Sequence, residues 1–420
     1  MGKRLNILIS AYACHPDKGS ESAVGWGWST AIAKHHDVWV LTSEHNQNGI
    51  AAVLASDASL RKHYHPVYVR PFRHLQAVEW IEHHIWPPID LFVYKNIWQR
   101  RAYRVAQRLH DQIGFDVAHN LTYVGFRVPG YLWRLDIPFI WGPLGGLENT
   151  PWRFLPVLGL KGFLYFAFRN IINTMQIFFL PAPKKAFRKA SGGIIAATEE
   201  IKHEILHWYG KKSVVICEVG PPDVSNSQLI HREQHESLRI IWSGIHDPGK
   251  ALNFLLYALK MLNESIDWQL SILGDGPCTK KWRELSEELN IEPKCTWHGW
   301  LPRDEALEKI RNSHICVITS MKELTSTVTI EAFTLGVPVI CPDHYGFSNV
   351  VNNNCGIKIP VETPSQFIGS LKSAIEYLAK NEEKRRQLAL GALRRANDFS
   401  WKQKRKQINK IYSTALNASN

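Results

Sequence analysis

Short β-branched runs alternate with longer apolar-periodic segments along most of the chain. Leu5–Ala13 reads as a first strand, followed by a loop through Gly19 and Ser20, a helix reaching Lys34 and a second strand, Asp37–Thr42. Residues 72–113 have a mostly helical pattern rich in Trp, His and Arg. Phe115–His119 then reads as a strand ending at His119, and residues 138–146 as a strand running into a Gly-rich turn beside Glu148. Gly193–Thr198 is a further strand with a helix after it. Glu218–Leu238 is polar and carries Gly220-Pro-Pro-Asp, the composition of a linker. Beyond it the alternation starts afresh. Strands are expected at Leu238–Ser243, Trp268–Leu273 and Cys295–Trp297, with helices at Ala251–Asn263 and Arg303–Asn312. Such alternation predicts two α/β domains with parallel sheets and right-handed crossovers.

The most informative stretch follows. His314–Thr319 is β-branched and reads as a buried strand, and Gly336 with Val337-Pro-Val-Ile340 reads as a helix stop leading into another. Between them lie a loop with Glu323 and a helix starting near Thr327, which places Glu331 one turn inside. A loop at the carboxyl end of a parallel strand is where open α/β sheets bind ligands. The helix start at Ser326–Thr327 offers free N–H groups to an anion. Strand, Ser320, Glu323, seven residues, Glu331-Ala332 and Gly336-x-Pro338 together resemble the Glu-x(7)-Glu signature of retaining GT-B glycosyltransferases of family 4. That resemblance implies Glu323 on the donor sugar and Glu331 on the nucleotide ribose. The family's Gly-Phe-Gly after the first Glu is Leu324-Thr325-Ser326 here, so hydroxyls replace an aromatic ring in the donor pocket.

Other segments extend the resemblance. Gly19 and Ser20 match the family's Gly-Ser or Gly-Glu loop, which faces donor and acceptor. His119 matches a His near the reacting sugar, and a purely structural role at the strand end is the competing reading. Gly244 opens the counterpart of Gly-Arg-Leu-x-x-x-Lys-Gly, where Lys250 is the phosphate cation, Ile245 stands for the Arg and Ala251 for the last Gly. Phosphate charge would then fall more on the helix start or on His246. Gly274-Asp-Gly-Pro277 and His298-Gly299 match cleft-lining turns. The implied fold is GT-B: two Rossmann-like domains with a cleft between them and a C-terminal crossover helix. Its parts would be an acceptor domain over 1–222, a linker over 223–238, a donor domain over 239–398 and a helix over 399–420 returning to the first domain.

Composition narrows the chemistry. With 420 residues the chain is long for one core, and a formal charge of +12 favours anionic partners. Sixteen Trp, many beside basic residues, suit either a membrane–water boundary or an aromatic core. Phe154–Leu180 is the most apolar stretch, but Lys161, Arg169, Asn170 and Asn173 interrupt it before it reaches a bilayer-spanning length. An interfacial segment completed by Lys184, Lys185, Arg188 and Lys189, or a buried helix, both fit. Seven singly placed Cys argue against a disulfide framework and for a reducing compartment. The basic start with its short apolar run reads as a strand rather than a signal peptide.

His203-Glu-Ile-Leu-His207 matches the zincin pattern, yet follows a strand as an ordinary helix, so it is expected to be inert. No Asp-x-Asp occurs, and no metal or other cofactor is expected beyond the nucleotide sugar as substrate. The sequence therefore points to a cytoplasmic transferase acting on a glycan or lipid-linked acceptor, with peripheral contact to anionic membrane and no nucleic acid. A nucleotide-sugar epimerase of the same fold, or a silent partner subunit in glycan assembly, are the alternatives.

Overall fold

The computed structural model describes residues 3–70, 93–190, 193–222, 229–233 and 236–417. The Trp- and His-rich residues 72–92, and positions 223–228 and 234–235 of the expected linker, lie outside these. The chain divides into two compact units. One comprises Met1–Glu148, Phe168–Gly220 and Trp401–Asn420, and the other Asn149–Ala167 and Pro221–Ser400.

The first unit is built on β1 (Asn6–Ala11), β2 (Asp37–Ser43), β3 (Tyr64–Val69), β4 (Val117–Thr122), β5 (Phe139–Leu144), β6 (Ile194–Ala196) and β7 (Val214–Val215). These pair in the order β3-β2-β1-β4-β5-β6-β7, all parallel. Every residue of β4 and β5 is buried, as expected of central strands covered on both faces. Strand β3 holds Pro66 in register with Val40, tolerable because β3 is the sheet edge.

The last helix, Trp401–Asn417, packs within this same unit. Ile408 and Tyr412 are buried, Asn409 Oδ1 lies 3.0 Å from His36 Nε2, and buried Lys404 donates to the Cys217 carbonyl.

The second unit carries β8 (Leu238–Ser243), β9 (Trp268–Leu273), β10 (Cys295–Gly299), β11 (Ile315–Val317), β12 (Val339–Pro342) and β13 (Gly356–Ile359). The order is β10-β9-β8-β11-β12-β13, again parallel throughout. Both sheets thus wind outward in opposite directions from their first strand, the doubly wound order of Rossmann-type domains. In each, the winding reverses beside the first strand: between β1 and β4, and between β8 and β11.

Asn149–Ala167 falls in the second unit, whereas the sequence reading kept it with the first. The reason is aromatic packing. Phe154 is fully buried against Phe254 and Phe367, ring centroids 5.8 and 6.1 Å away, within a core that also takes Leu155, Leu158 and Phe166. The helix expected from Ala251 begins only at Asn253, because Ala251 adopts φ 50° and ψ 44°.

Candidate functional site

At the switch point of the second sheet two strand-end loops are stapled together. Trp242 Nε1 donates to Thr319 Oγ1 at 3.0 Å, and Thr319 Oγ1 donates to the Lys250 carbonyl at 2.7 Å. Met321 N donates to the Gly249 carbonyl at 2.8 Å. The Lys250 turn is fixed from inside by Asp247, whose Oδ1 accepts from Gly249 N at 2.7 Å and Lys250 N at 3.2 Å. Burial holds the Asp247 carboxyl above its usual range despite these bonds and the neighbouring Lys250 ammonium. Ala251, at the family's glycine position, is left-handed, a conformation costing a non-glycine residue about 1–2 kcal/mol. That is what a glycine would relieve there.

The stapling brings Lys250 and Glu323 into a direct ion pair, each side chain 20% exposed. The loop beyond is braced by Tyr345, whose hydroxyl lies 3.0 Å from the Met321 carbonyl, and by Gly346 N donating to the Leu324 carbonyl at 2.9 Å. A Cβ on Gly346 would stand 2.3 Å from that carbonyl oxygen. Thr325 and Ser326 are buried, and Ser326 leads into the helix Thr327–Thr334 without capping it through its side chain. Glu331, on that helix, is 13% exposed and meets Arg303 Nη2 at 3.5 Å. Burial raises the Glu331 pKa and Arg303 opposes the rise. Arg303 stands at the start of the helix Arg303–Arg311, and the sequence reading gave it no part. Its position after the His298-Gly299 turn was the available signal.

Two further turns flank the stapled pair. Gly274 N donates to the Gly299 carbonyl at 2.8 Å, and at φ 104° a Cβ there would stand 2.0 Å from the Gly244 carbonyl oxygen. Gly274 therefore cannot be replaced without moving the Gly244 turn. His298 is half-buried, its Nε2 3.3 Å from Ser271 Oγ.

His246, the alternative cation of the sequence reading, sits in an aromatic pocket. It is buried among Trp242, Trp282 and Trp297, with ring centroids 5.5, 5.4 and 5.8 Å away, and that burial depresses its pKa. Ile245, in place of the family Arg, is exposed.

The remaining expected residues lie in the first unit. Gly19 and Ser20 are exposed at the loop after β1, and Ser20 takes φ 56° and ψ −139°, a region that nearly only glycine enters freely. Glu21 Oε1 accepts from Val124 N at 2.7 Å, tying that loop to the one after β4. His119 is different from its expected role. Strand β4 runs on through Leu121 and Thr122, so His119 lies inside the sheet at 0% exposure. Its Nε2–H donates to the Gly142 carbonyl at 2.7 Å, leaving Nδ1 to accept from the Tyr412 hydroxyl at 2.7 Å. Burial drops its pKa to about 4. Nδ1 thus ties the last helix to the sheet, and Nε2 ties β4 to the neighbouring strand β5. Glu148 is partly buried, and its carbonyl accepts from Asn173 Nδ2 at 3.3 Å.

His203 and His207 are both exposed on the helix Glu199–Tyr209, and Glu204 accepts from Trp208 Nε1 at 2.6 Å. No group of three His, Cys, Asp or Glu poised for a metal occurs among the described residues. Replacing both His by Ala is expected to leave turnover unchanged. Loss of turnover on chelation, restored by zinc, would overturn that expectation.

Residues 226–394, within the second unit, match the family described as Glycosyl transferases group 1. A lipopolysaccharide 1,6-galactosyltransferase of Salmonella typhimurium is 37% identical over 79 residues, 18% of this chain and 22% of that protein. The enzyme of that name from Escherichia coli is 26% identical over 153 residues, 36% of this chain and 42% of that protein. The match thus spans less than half the length of either relative. Among solved structures, the lipopolysaccharide outer core galactosyltransferase WaaB superposes with a TM-score of 0.63 at 15% identity, covering 97% of this chain and 99% of that one. Anabaena HepE in complex with UDP-glucose gives 0.61 at 13% identity, over 98% of this chain and all of that one. The chain has the GT-B fold.

Proposed function

We propose that this protein is a glycosyltransferase. It moves a sugar from a nucleoside-diphosphate sugar to a hydroxyl of a polysaccharide, lipopolysaccharide or lipid-linked glycan, with retention of configuration. The observation that carries the reading is the Lys250–Glu323 pair at the switch point of the second sheet, with Glu331 one turn into the adjoining helix. Lys250 and the N–H groups at Ser326–Thr327 would take up the charge of the departing diphosphate. Glu331 would accept from the ribose hydroxyls, and Glu323 would orient the sugar. In the reaction the bond from the anomeric carbon to the phosphate oxygen breaks, its electron pair leaving with the diphosphate. The acceptor oxygen bonds to that carbon from the same face, and its proton passes to the departing oxygen.

Relatives and fold neighbours named for lipopolysaccharide galactosyl transfer and for UDP-glucose support a uridine nucleotide donor and a cell-surface glycan acceptor. No metal is assigned a step. The first unit, with the exposed Gly19–Ser20 loop, is assigned to the acceptor side, and His119 is assigned a positioning role only. The reaction belongs in the cytoplasm, on an acceptor held at the inner membrane face.

Incubation with a panel of nucleotide sugars and extracted glycans tests this. Release of nucleoside diphosphate that depends on an acceptor, with a product linkage of the donor's own anomeric configuration, is the expected result. Absence of nucleotide binding across the panel, or an inverted linkage, would overturn it.

A further inference from the structure

From Asn149 through Thr198 the chain contains no Asp or Glu but carries Arg153, Lys161, Arg169, Lys184, Lys185, Arg188 and Lys189. Within this span the helix Gly159–Phe179 turns an apolar stripe outward. Along its Phe168–Phe179 part, which belongs to the first unit, the outward positions are Phe168, Ile171, Met175 and Phe178, three or four residues apart and 41–52% exposed, with Phe179 at 77%. Its buried face includes Asn170 and Asn173. This orientation is held by specific bonds. Asn173 Nδ2 donates to the carbonyls of Leu147 and Glu148 at 3.2 and 3.3 Å, and Arg127 donates to Asn173 Oδ1 and Gln176 Oε1. An isolated exposed Leu needs no explanation, but a stripe of this length along one helix marks an interaction surface.

We propose that this stripe docks on an anionic lipid surface. The charge around it chooses the occupant. Lys185 and Arg188 of the same unit are exposed, and no carboxylate of the span opposes them. Long basic side chains beside aromatic rings suit the headgroup level, where the rings enter the apolar boundary and the cations stay wet. The bonds of Asn173 and Arg127 keep the opposite helix face on protein, so the helix lies along the surface and does not cross the bilayer. This deepens the proposed function by naming the surface that would meet a membrane-borne acceptor. It is tested without donor or acceptor, so its failure leaves the transferase reading standing.

The experiment is flotation of the full chain with vesicles of phosphatidylcholine alone or with one-third phosphatidylglycerol. Binding to the anionic vesicles alone, released by high salt and by alkaline carbonate, is expected. Two variants separate the contributions. Lys185 and Arg188 to Glu spares Lys184, which donates to the Phe178 carbonyl, and Lys189, which pairs with Asp136. It should weaken partition by about twenty-fivefold or more, at roughly fivefold per cation removed from an anionic surface. Ile171→Gln with Met175→Gln and Phe178→Gln should abolish binding at every lipid composition. Unchanged thermal melting and circular dichroism show that both variants remain folded. Equal binding to neutral vesicles, retention after carbonate, absence of binding, or a dimer lost on the same apolar substitutions would each overturn the proposal.

Discussion

Glu323→Ala is expected to lower kcat by about a hundredfold or more, while leaving nucleoside diphosphate binding unchanged or tighter. The first half follows from the proposed role, since removing one positioned electrostatic group at the reacting centre typically has this size. The second half follows from the ion pair. Glu323 neutralises Lys250, so a diphosphate must compete with it for the same ammonium. Without Glu323 that competition vanishes, and Lys250 is held in place by its backbone bonds to Asp247 and Thr319. Both partners are only one-fifth exposed, so removing one leaves the other largely buried and uncompensated, and breaking the pair should cost stability up to about 3 kcal/mol. Lys250→Ala has the opposite profile. It removes the cation and leaves Glu323 and Asp247 unneutralised near an anionic ligand, so nucleoside diphosphate binding should collapse. Calorimetry with the diphosphate alone reads both variants. If Glu323→Ala abolished binding in a folded protein, the division of labour between the two residues would be wrong.

The apolar runs made much of this architecture legible. Leu238–Ser243 and Trp268–Leu273 emerge as strands with the expected ends, because central parallel strands are apolar on both faces and stand out as short blocks. Strand β3 escaped notice because Pro66 interrupts the run, which only its edge position allows. The sequence places the end of β4 at His119-Asn120, a polar pair that looks like a strand terminus, whereas the strand runs on to Thr122. The burial of His119 depends on Tyr412, a partner from the far end of the chain that no local pattern announces.

The same holds for the site. Lys250, Glu323 and Glu331 are readable from motif and spacing, whereas the Thr319 staple and the Arg303 contact arise from crossovers that bring distant loops together. Helix Gly159–Phe179 shows the converse. Its composition left a buried helix and an interfacial one equally open, and only the burial pattern shows Asn170, Asn173, Phe166 and Ile177 inside while Phe168, Ile171, Met175 and Phe178 face outward.

Glu331 offers the second large effect, because burial works against the charge that the proposed function needs. Two ribose hydroxyls donating to an ionised carboxylate contribute about 1.5–3 kcal/mol each. Glu331→Ala should therefore weaken nucleoside diphosphate binding by about a hundredfold or more and raise the donor KM, with a smaller change in kcat. Arg303 is exposed and stays solvated, so the substitution strands no buried charge. The pH dependence has a definite sign. Burial places the folded pKa of Glu331 above its unfolded value, so the native state holds the proton more tightly between the two. Stability contributed by the protonated form is therefore lost as pH rises through that window, and the ionised group is a burden at neutral pH. Glu331→Gln is accordingly expected to melt at a higher temperature than the native protein at pH 7, with the difference fading as pH falls to where native Glu331 is protonated. Its nucleotide binding should nevertheless be weaker, a trade of function against stability. Arg303→Ala provides the independent check. Arg303 opposes the upward shift, so removing it should move the acid limb of nucleotide binding to higher pH without abolishing binding at pH 8. A Glu331→Gln protein that melts lower and binds nucleotide as before, or an acid limb that ignores Arg303, would remove Glu331 from the ribose.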